Sequence, residues 1–227
     1  MGIAERFEAI EERIRDACAS VGRDPAEVRL LPVSKTRPAS ELAEAARLGY
    51  HRFGENKVQE VVAKAAELDG AGIEFAVIGH LQTNKAKQVA ELAVEFQALD
   101  SHRIAEALDR RLQALGRSLD VCVQVNSSGE DTKSGLAPDE VVEFAKGLDA
   151  YHSLRVTGLM TLAHPDPARA RQCFATMVDV QRRLRDASAA GSEWHELSMG
   201  MSGDFTDAIA AGATCVRIGT ALFGPRA

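Results

Sequence analysis

A single lysine stands directly after an apolar run near the amino terminus. Residues 28–34 have the composition of a buried strand, Lys35 follows them, and Pro38 precedes a helical pattern. In α/β proteins, ligand sites lie at the carboxyl ends of strands, which is where Lys35 is predicted to be. A lysine amine that partial burial keeps neutral can form an imine with an aldehyde. Taken alone, the position favours an ordinary solvated lysine, so the rest of the chain must decide.

Two glycine-rich segments, 198–203 and 219–220, follow the last two predicted strands. Their glycines allow the backbone to approach a ligand closely, and Ser198 and Ser202 offer hydroxyl donors. A helix predicted to begin next would direct its N–H groups toward the same point. Phosphate sites in (β/α)8 barrels commonly lie between these two loops, so the segments predict an anion-binding cradle. The alternative is that Ser202 caps a helix and Gly200 makes a turn.

Arg217 interrupts the apolar strand predicted over residues 214–218. A buried guanidinium needs a partner, which is either an internal carboxylate or an acceptor on a bound ligand. An aldehyde-reactive Lys35, a phosphate cradle and a ring-nitrogen partner at Arg217 match the three functional groups of pyridoxal phosphate.

The elements that would position these residues alternate strictly between strand and helix. Apolar, β-branched strands separated by amphipathic helices indicate parallel pairing, and eight such units in 227 residues favour one closed (β/α)8 barrel, of the TIM type, over a doubly wound sheet. The predicted architecture is one domain over residues 1–227, with an additional amino-terminal helix, residues 1–20, packed outside the barrel beside the last strand. Strands are predicted over residues 28–34, 52–56, 73–78, 96–99, 119–125, 154–160, 194–197 and 214–218. Helices are predicted over residues 41–48, 58–68, 85–94, 101–115, 138–148, 167–190 and 205–211.

Composition narrows the classes of protein to consider. The net charge of −6 and the absence of a basic tract argue against nucleic-acid binding, and no apolar stretch has the length of a membrane span. The four cysteines are far apart in sequence, which is typical of reduced thiols in a cytoplasmic protein.

Several motifs together resemble the pyridoxal phosphate homeostasis protein family. The resemblance covers nearly the whole chain, with the motifs in the same order, and that family is itself similar to the barrel domain of alanine racemase. The motifs are Val33-Ser34-Lys35-Thr36, Phe53-Gly54-Glu55-Asn56, the segment 78–85 from Ile78 to Lys85, Lys133-Ser134-Gly135, Gly158-Leu159-Met160, Leu197-Ser198-Met199-Gly200-Met201-Ser202, and the segment 216–224 from Val216 to Gly224.

The resemblance implies a role for each matching residue. Lys35 would form the imine with the cofactor, and Arg217 would be the partner of the pyridine nitrogen. Asn56 and Met160 would neighbour the ring, and His80, Asn84 and Lys133 would lie at the rim of the pocket. The predicted phosphate contacts, together with the cradle argued above, are Ser198, Met199, Gly200, Ser202, Gly219 and Thr220. Some relatives have proline at the position of His80 and an aromatic residue at that of Lys57.

The same residues favour a cofactor-binding protein over an enzyme. A racemase needs a base on each face of the substrate, and the two tyrosines, Tyr50 and Tyr151, are predicted at the opposite rim of the barrel. A charged arginine at the pyridine nitrogen also disfavours ring protonation and makes the ring a poorer electron sink. We therefore expect a monomeric protein that buffers pyridoxal phosphate or delivers it to apo-enzymes.

Two enzymatic alternatives remain at this point. One is a small pyridoxal phosphate enzyme, such as a weak racemase, with His80 or water as the second base. The other is a barrel enzyme acting on phosphosugars, in which Lys35 forms an imine with the substrate.

Overall fold

The structure, a computed structural model, describes residues 2–130, 132–187 and 193–225. These residues form eight parallel strands in one sheet, in the order β1-β8-β7-β6-β5-β4-β3-β2. The strands are β1 (Arg29–Pro32), β2 (Arg52–Glu55), β3 (Glu74–Val77), β4 (Ala93–Leu99), β5 (Leu119–Gln124), β6 (Leu154–Met160), β7 (Glu196–Ser198) and β8 (Cys215–Ile218).

The sheet closes where β1 meets β2. An isolated parallel bridge joins Val33 to Gly54, and the Ser34 N–H donates to the Gly54 carbonyl at 3.0 Å. A side chain at position 54 would meet Ile78 and Leu31 inside the barrel at ordinary contact distance. The closure therefore lies immediately before Lys35, and the predicted (β/α)8 barrel is confirmed.

Helices cover the outside of the barrel, because each has one apolar face that packs against the strands. The principal core lies in this outer layer, whereas a small apolar cluster of Leu31, Ala76 and Cys215 occupies the interior. The helices are α1 (Ile3–Ser20), α2 (Ala39–Ala46), α3 (Val58–Glu67), α4 (Ala86–Leu92), α5 (His102–Leu115), α6 (Val141–Lys146), α7 (Pro167–Asp186), α8 (Phe205–Ala211) and α9 (Thr220–Phe223).

The amino-terminal helix α1 packs against α8 and α9, on the side of the barrel where β8 lies. Its buried face includes Ile3, Phe7, Ile10 and Ile14, and Arg6 Nε donates to the Leu222 carbonyl at 2.6 Å. This position agrees with the predicted one. Among the described residues, no helix combines the length and apolarity that a membrane span requires.

Several predicted boundaries were wrong for local reasons. Strand β4 begins at Ala93, inside the helix predicted over residues 85–94. Helix α6 begins at Val141 because Pro138 lies in a turn, and Trp194 cannot begin β7 because its φ is 47°. Helix α7 ends at Asp186, and the predicted continuation to residue 190 falls mostly outside the described residues.

Candidate functional site

A cavity of about 720 Å³ opens at the carboxyl end of the barrel. It brings together residues that follow strands β1, β2, β3, β5, β6, β7 and β8. The predicted site residues that line it are Lys35, Asn56, His80, Lys133, Ser202, Arg217, Gly219 and Thr220.

Five predicted residues do not line this cavity. Met160, Ser198, Met199 and Gly200 are buried, and Asn84 lines a neighbouring cavity of about 520 Å³ that shares His80 with the first. The contacts predicted for these five residues stay predictions.

Lys35 lies in a turn whose two flanking residues are held by charged side chains. The Ser34 hydroxyl donates to Glu55 Oε1 at 2.6 Å, and the Thr36 N–H donates to Glu60 Oε2 at 2.6 Å. Thr36 has a φ of 63°, a strained conformation for a β-branched residue. The turn is thus constrained on both sides of the lysine.

Lys64, on α3, joins these contacts into one network. Its Nζ donates to Glu55 Oε1 at 2.5 Å and to the Ser34 carbonyl at 2.8 Å, and it lies 3.3 Å from Glu60 Oε2. Burial raises the pKa of Glu55, although hydrogen bonds from Lys64 and Ser34 oppose that shift. Partial burial acts to raise the pKa of Glu60. The hydrogen bond from the Thr36 N–H acts in the opposite direction, and the pKa is lowered overall.

Arg217 reaches the cavity with a guanidinium that is neutralised by no carboxylate of the described chain. Its Nη1 donates to Ser198 Oγ and its Nη2 to the Thr161 carbonyl, both at 2.7 Å. Burial lowers the pKa of Arg217. Only two of its five N–H groups have partners among the described residues, so the remainder can serve an acceptor in the cavity.

The hydroxyl of Ser198 lies between two side chains. It donates its proton to Gln97 Oε1 at 2.7 Å and accepts from Arg217. The hydroxyl thus holds the guanidinium of Arg217, and its contact with a phosphate stays a prediction.

The two glycine-rich segments present unpaired backbone donors to the cavity. Within the described chain, the N–H groups of Ser202, Gly203, Gly219 and Thr220 make no hydrogen bond. A Cβ at Gly203 would meet nothing within 4 Å, whereas one at Gly219 would lie 3.0 Å from the Val33 carbonyl. Four such donors from two neighbouring loops fit an anionic group.

The backbone conformation and the packing at position 200 both require a glycine. Its φ is 94°, and a Cβ there would lie 2.6 Å from the Ala208 side chain and 3.0 Å from the Phe205 backbone. Gly200 therefore makes a turn, as in the alternative interpretation of this segment. Its lack of a side chain lets α8 pack closely against the end of β7.

Lys133 joins two loops across one side of the cavity. Its Nζ donates to the carbonyls of Ala163 at 3.1 Å and Leu162 at 3.5 Å, and it lies 2.6 Å from Glu130 Oε2. The lysine thus ties the loop after β5 to the loop after β6.

Several lining residues are not among the predicted site residues, of which His164, Leu162, Gln124 and Met201 are the clearest. Their positions in the sequence could have identified three of them, because Leu162 and His164 follow β6 and Met201 follows β7. The Nδ1 of His164 accepts the Asp166 N–H at 3.0 Å, so the neutral ring carries its proton on Nε2.

Neither tyrosine lines the cavity. Tyr50 packs on Phe7 with ring centroids 4.5 Å apart and hydrogen-bonds Glu11, and Tyr151 lies beside His102.

Fold and cavity define the class: a (β/α)8 barrel that gathers a lysine, an arginine and four backbone N–H groups without partners in the described chain at its carboxyl rim. The family model "Alanine racemase, N-terminal domain" matches residues 6–227. A protein of Pseudomonas aeruginosa named pyridoxal phosphate homeostasis protein is 42% identical over 224 residues, which are 99% of this chain and 96% of that protein. The protein of the same name from Escherichia coli K12 is 41% identical over 231 residues, which cover 99% of this chain and 97% of that protein.

The chain therefore belongs to the pyridoxal phosphate homeostasis proteins of the alanine racemase N-terminal domain family. Among solved structures, PipY of Synechococcus elongatus with pyridoxal phosphate bound is 36% identical, with a TM-score of 0.81 over 93% of this chain and 100% of that chain. Alanine racemase of Clostridium difficile is 17% identical, with a TM-score of 0.67 over 95% of this chain and 56% of that chain, and it shares the fold.

Proposed function

We propose that the protein binds pyridoxal 5'-phosphate in the cavity at the carboxyl end of the barrel. The observation that carries the proposal is the meeting of Lys35, Arg217 and four unpaired backbone N–H groups in one cavity. When bound, pyridoxal phosphate supplies a reactive aldehyde, a phosphate and a pyridine nitrogen. The names of the relatives and the cofactor in the PipY structure support the same ligand.

Each group of the cavity has a separate part in this proposal. Lys35 would hold the aldehyde carbon covalently as an imine, and Arg217 would donate to the pyridine nitrogen. The N–H groups of residues 202, 203, 219 and 220 bind the phosphate, and Asn56 lies beside the ring. Ser198 and the buried Met160, Met199 and Gly200 support these groups from behind.

Titration with pyridoxal phosphate tests the binding proposal. We expect one equivalent to bind and to produce the absorption of an imine. A colourless protein whose spectrum does not respond to the cofactor would contradict the proposal and favour the phosphosugar alternative.

We further propose that the protein holds and releases the cofactor in pyridoxal phosphate homeostasis and carries out no robust reaction of its own. Two features support this proposal. The tyrosines lie away from the cavity, and a cationic partner at the pyridine nitrogen would make the ring a weaker electron sink. Release to apo-enzymes would then be the useful step. Assays of the loaded protein for racemisation, transamination and decarboxylation should give no sustained turnover, and turnover in any of them would overturn this part.

One observation keeps a weak racemase as the second candidate. His80 lines the cavity, and its Nδ1 lies 3.7 Å from Asp100 Oδ2, a carboxylate that could hold the ring as a base. Slow α-proton exchange in deuterated water that disappears in His80→Gln would favour this candidate.

The remaining parts of the proposal concern the setting in which the protein works. Lys133 lies at the cavity rim and would attract the anionic cofactor or receive it on its way out. We propose that the protein works as a monomer in the cytoplasm. The four buried cysteines without disulfides support the reducing compartment. Transfer to an apo-aminotransferase, measured with a scavenger of free cofactor present, tests delivery by direct contact.

A further inference from the structure

A charged network lies beneath Lys35 without reaching the cavity. It consists of Glu55 at the end of β2 and of Glu60 and Lys64 on α3. Glu55 is fully buried and Lys64 is 6% exposed, and neither lines the cavity. The network therefore cannot act on a ligand by direct contact.

The contacts of this network converge on the two neighbours of the reactive lysine. Glu55 accepts the Ser34 hydroxyl, Lys64 donates to the Ser34 carbonyl, and Glu60 accepts the Thr36 N–H. Two of these hydrogen bonds hold backbone atoms on either side of Lys35, at Ser34 and at the strained Thr36, and the third holds the Ser34 side chain.

Stability alone does not account for these charges. Burying a carboxylate and an ammonium costs desolvation energy, and an apolar pair of similar volume would fill the same space without that cost. The pairing is also incomplete, because Glu55 Oε2 has no hydrogen-bond partner among the described residues. A directional network that costs desolvation energy and surrounds one turn is suited to fixing the geometry of that turn.

We propose that Glu55 and Lys64 are positioning residues that hold the Lys35 amine where it can attack the cofactor aldehyde. This inference rests on the proposed function, since it concerns how fast Lys35 forms its imine. In that reaction the neutral amine would form a C=N bond to the aldehyde carbon, and the aldehyde oxygen would leave as water with the two amine protons. Attack by an amine depends steeply on its distance and angle, whereas the phosphate cradle and Arg217 lie on other strands. The network should therefore govern imine formation and leave the non-covalent binding of the cofactor unchanged.

The experiment compares two ligands in the full-length protein. Pyridoxal phosphate reports imine formation by stopped-flow absorbance. Pyridoxine 5'-phosphate, in which an alcohol replaces the aldehyde, reports the cradle and Arg217 alone by calorimetry. The variants are Glu55→Gln, Lys64→Met and the double variant. The matched control is Asp109→Asn, because Asp109 is also a buried carboxylate that holds a backbone N–H, that of Ser153, but at a distance from the cavity.

We expect Glu55→Gln and Lys64→Met to slow imine formation by ~10- to 100-fold, with pyridoxine phosphate affinity within about 2-fold of the parent protein. Because the two residues act through one another, the double variant should be no slower than the slower single variant. Asp109→Asn should form the imine at the parent rate even if its melting temperature falls as much.

Three results would overturn the inference. One is imine formation at the parent rate in Glu55→Gln. Another is equal slowing by Asp109→Asn. The third is a loss of pyridoxine phosphate affinity in proportion to the loss of rate. A parent protein that binds both ligands but forms no imine would instead refute the proposed role of Lys35, and this inference with it.

Discussion

Two arginines lie on the inner face of the barrel, on the paired strands β1 and β8, and their charges are met in different ways. Arg29 donates to Glu95 and to Glu196 at 2.9 and 2.5 Å, and Arg52 also reaches Glu95. Arg217, near the opposite end, donates to the neutral oxygens of a serine and a backbone carbonyl and to no other group in the described parts of the chain. Charge is thus compensated within the protein at the amino end and left for a ligand at the carboxyl end.

A short chain of hydrogen bonds links the two ends. The Gln97 amide donates to Glu95 Oε1 at 2.5 Å, Ser198 donates to Gln97 Oε1 at 2.7 Å, and Arg217 donates to Ser198. The compensated cluster therefore orients the uncompensated arginine through two neutral side chains. In this barrel interior, one end serves stability and the other is available for binding.

The amino-end cluster should give the largest effect on stability. Arg29→Met leaves Glu95, 2% exposed, with fewer partners, and we expect unfolding free energy to fall by about 3 kcal/mol. Urea titration measures the loss. The affinity for pyridoxal phosphate should stay within about 3-fold, since Arg29 does not line the cavity.

The carboxyl-end arginine should show the opposite pattern. Arg217→Met removes donors to the cofactor, so its affinity should fall ~10- to 100-fold, equivalent to about 1.5–3 kcal/mol. Stability should change by less than about 1 kcal/mol, because the cost of burying the guanidinium is removed along with its two hydrogen bonds. A variant that unfolds easily yet binds normally would reverse the comparison.

Breaking the link between the two ends should give an intermediate effect on both properties. Gln97→Met leaves Ser198 without its acceptor and Glu95 without one donor. We expect about 1 kcal/mol loss of stability and roughly 5-fold weaker cofactor binding, because Arg217 loses its orientation. Parallel urea and cofactor titrations of one preparation measure both, and unchanged binding would show that the ends are independent.

The smallest effect should come from the rim. Lys133→Ala removes the tie between the loops after β5 and β6, so cofactor release should be about 3-fold faster with little change in stability. Release into a scavenger of free cofactor measures the rate. If loading and release both keep their parent rates, Lys133 has no part in cofactor exchange.

The sequence predicted best what depends on position along the chain. Lys35 and Arg217 were identifiable because one follows a strand and the other interrupts one, and strand ends converge in any parallel barrel. Contacts between elements distant in sequence were not predictable. The Glu55–Lys64 pair requires the angle of α3 against β2, and the Gln97–Ser198 hydrogen bond joins residues 101 positions apart. The commitment of the Ser198 proton, and the burial of Met160 and Met199, follow from the same packing.

The most direct test of the central claim is to find which atom of the chain holds the cofactor. The protein is loaded with pyridoxal phosphate, reduced with borohydride, digested and mapped by mass spectrometry. We expect one phosphopyridoxyl group, on Lys35, and none after the same treatment of Lys35→Ala. A group found chiefly on Lys133 or another surface lysine, or bound cofactor that borohydride never fixes to the chain, would contradict it.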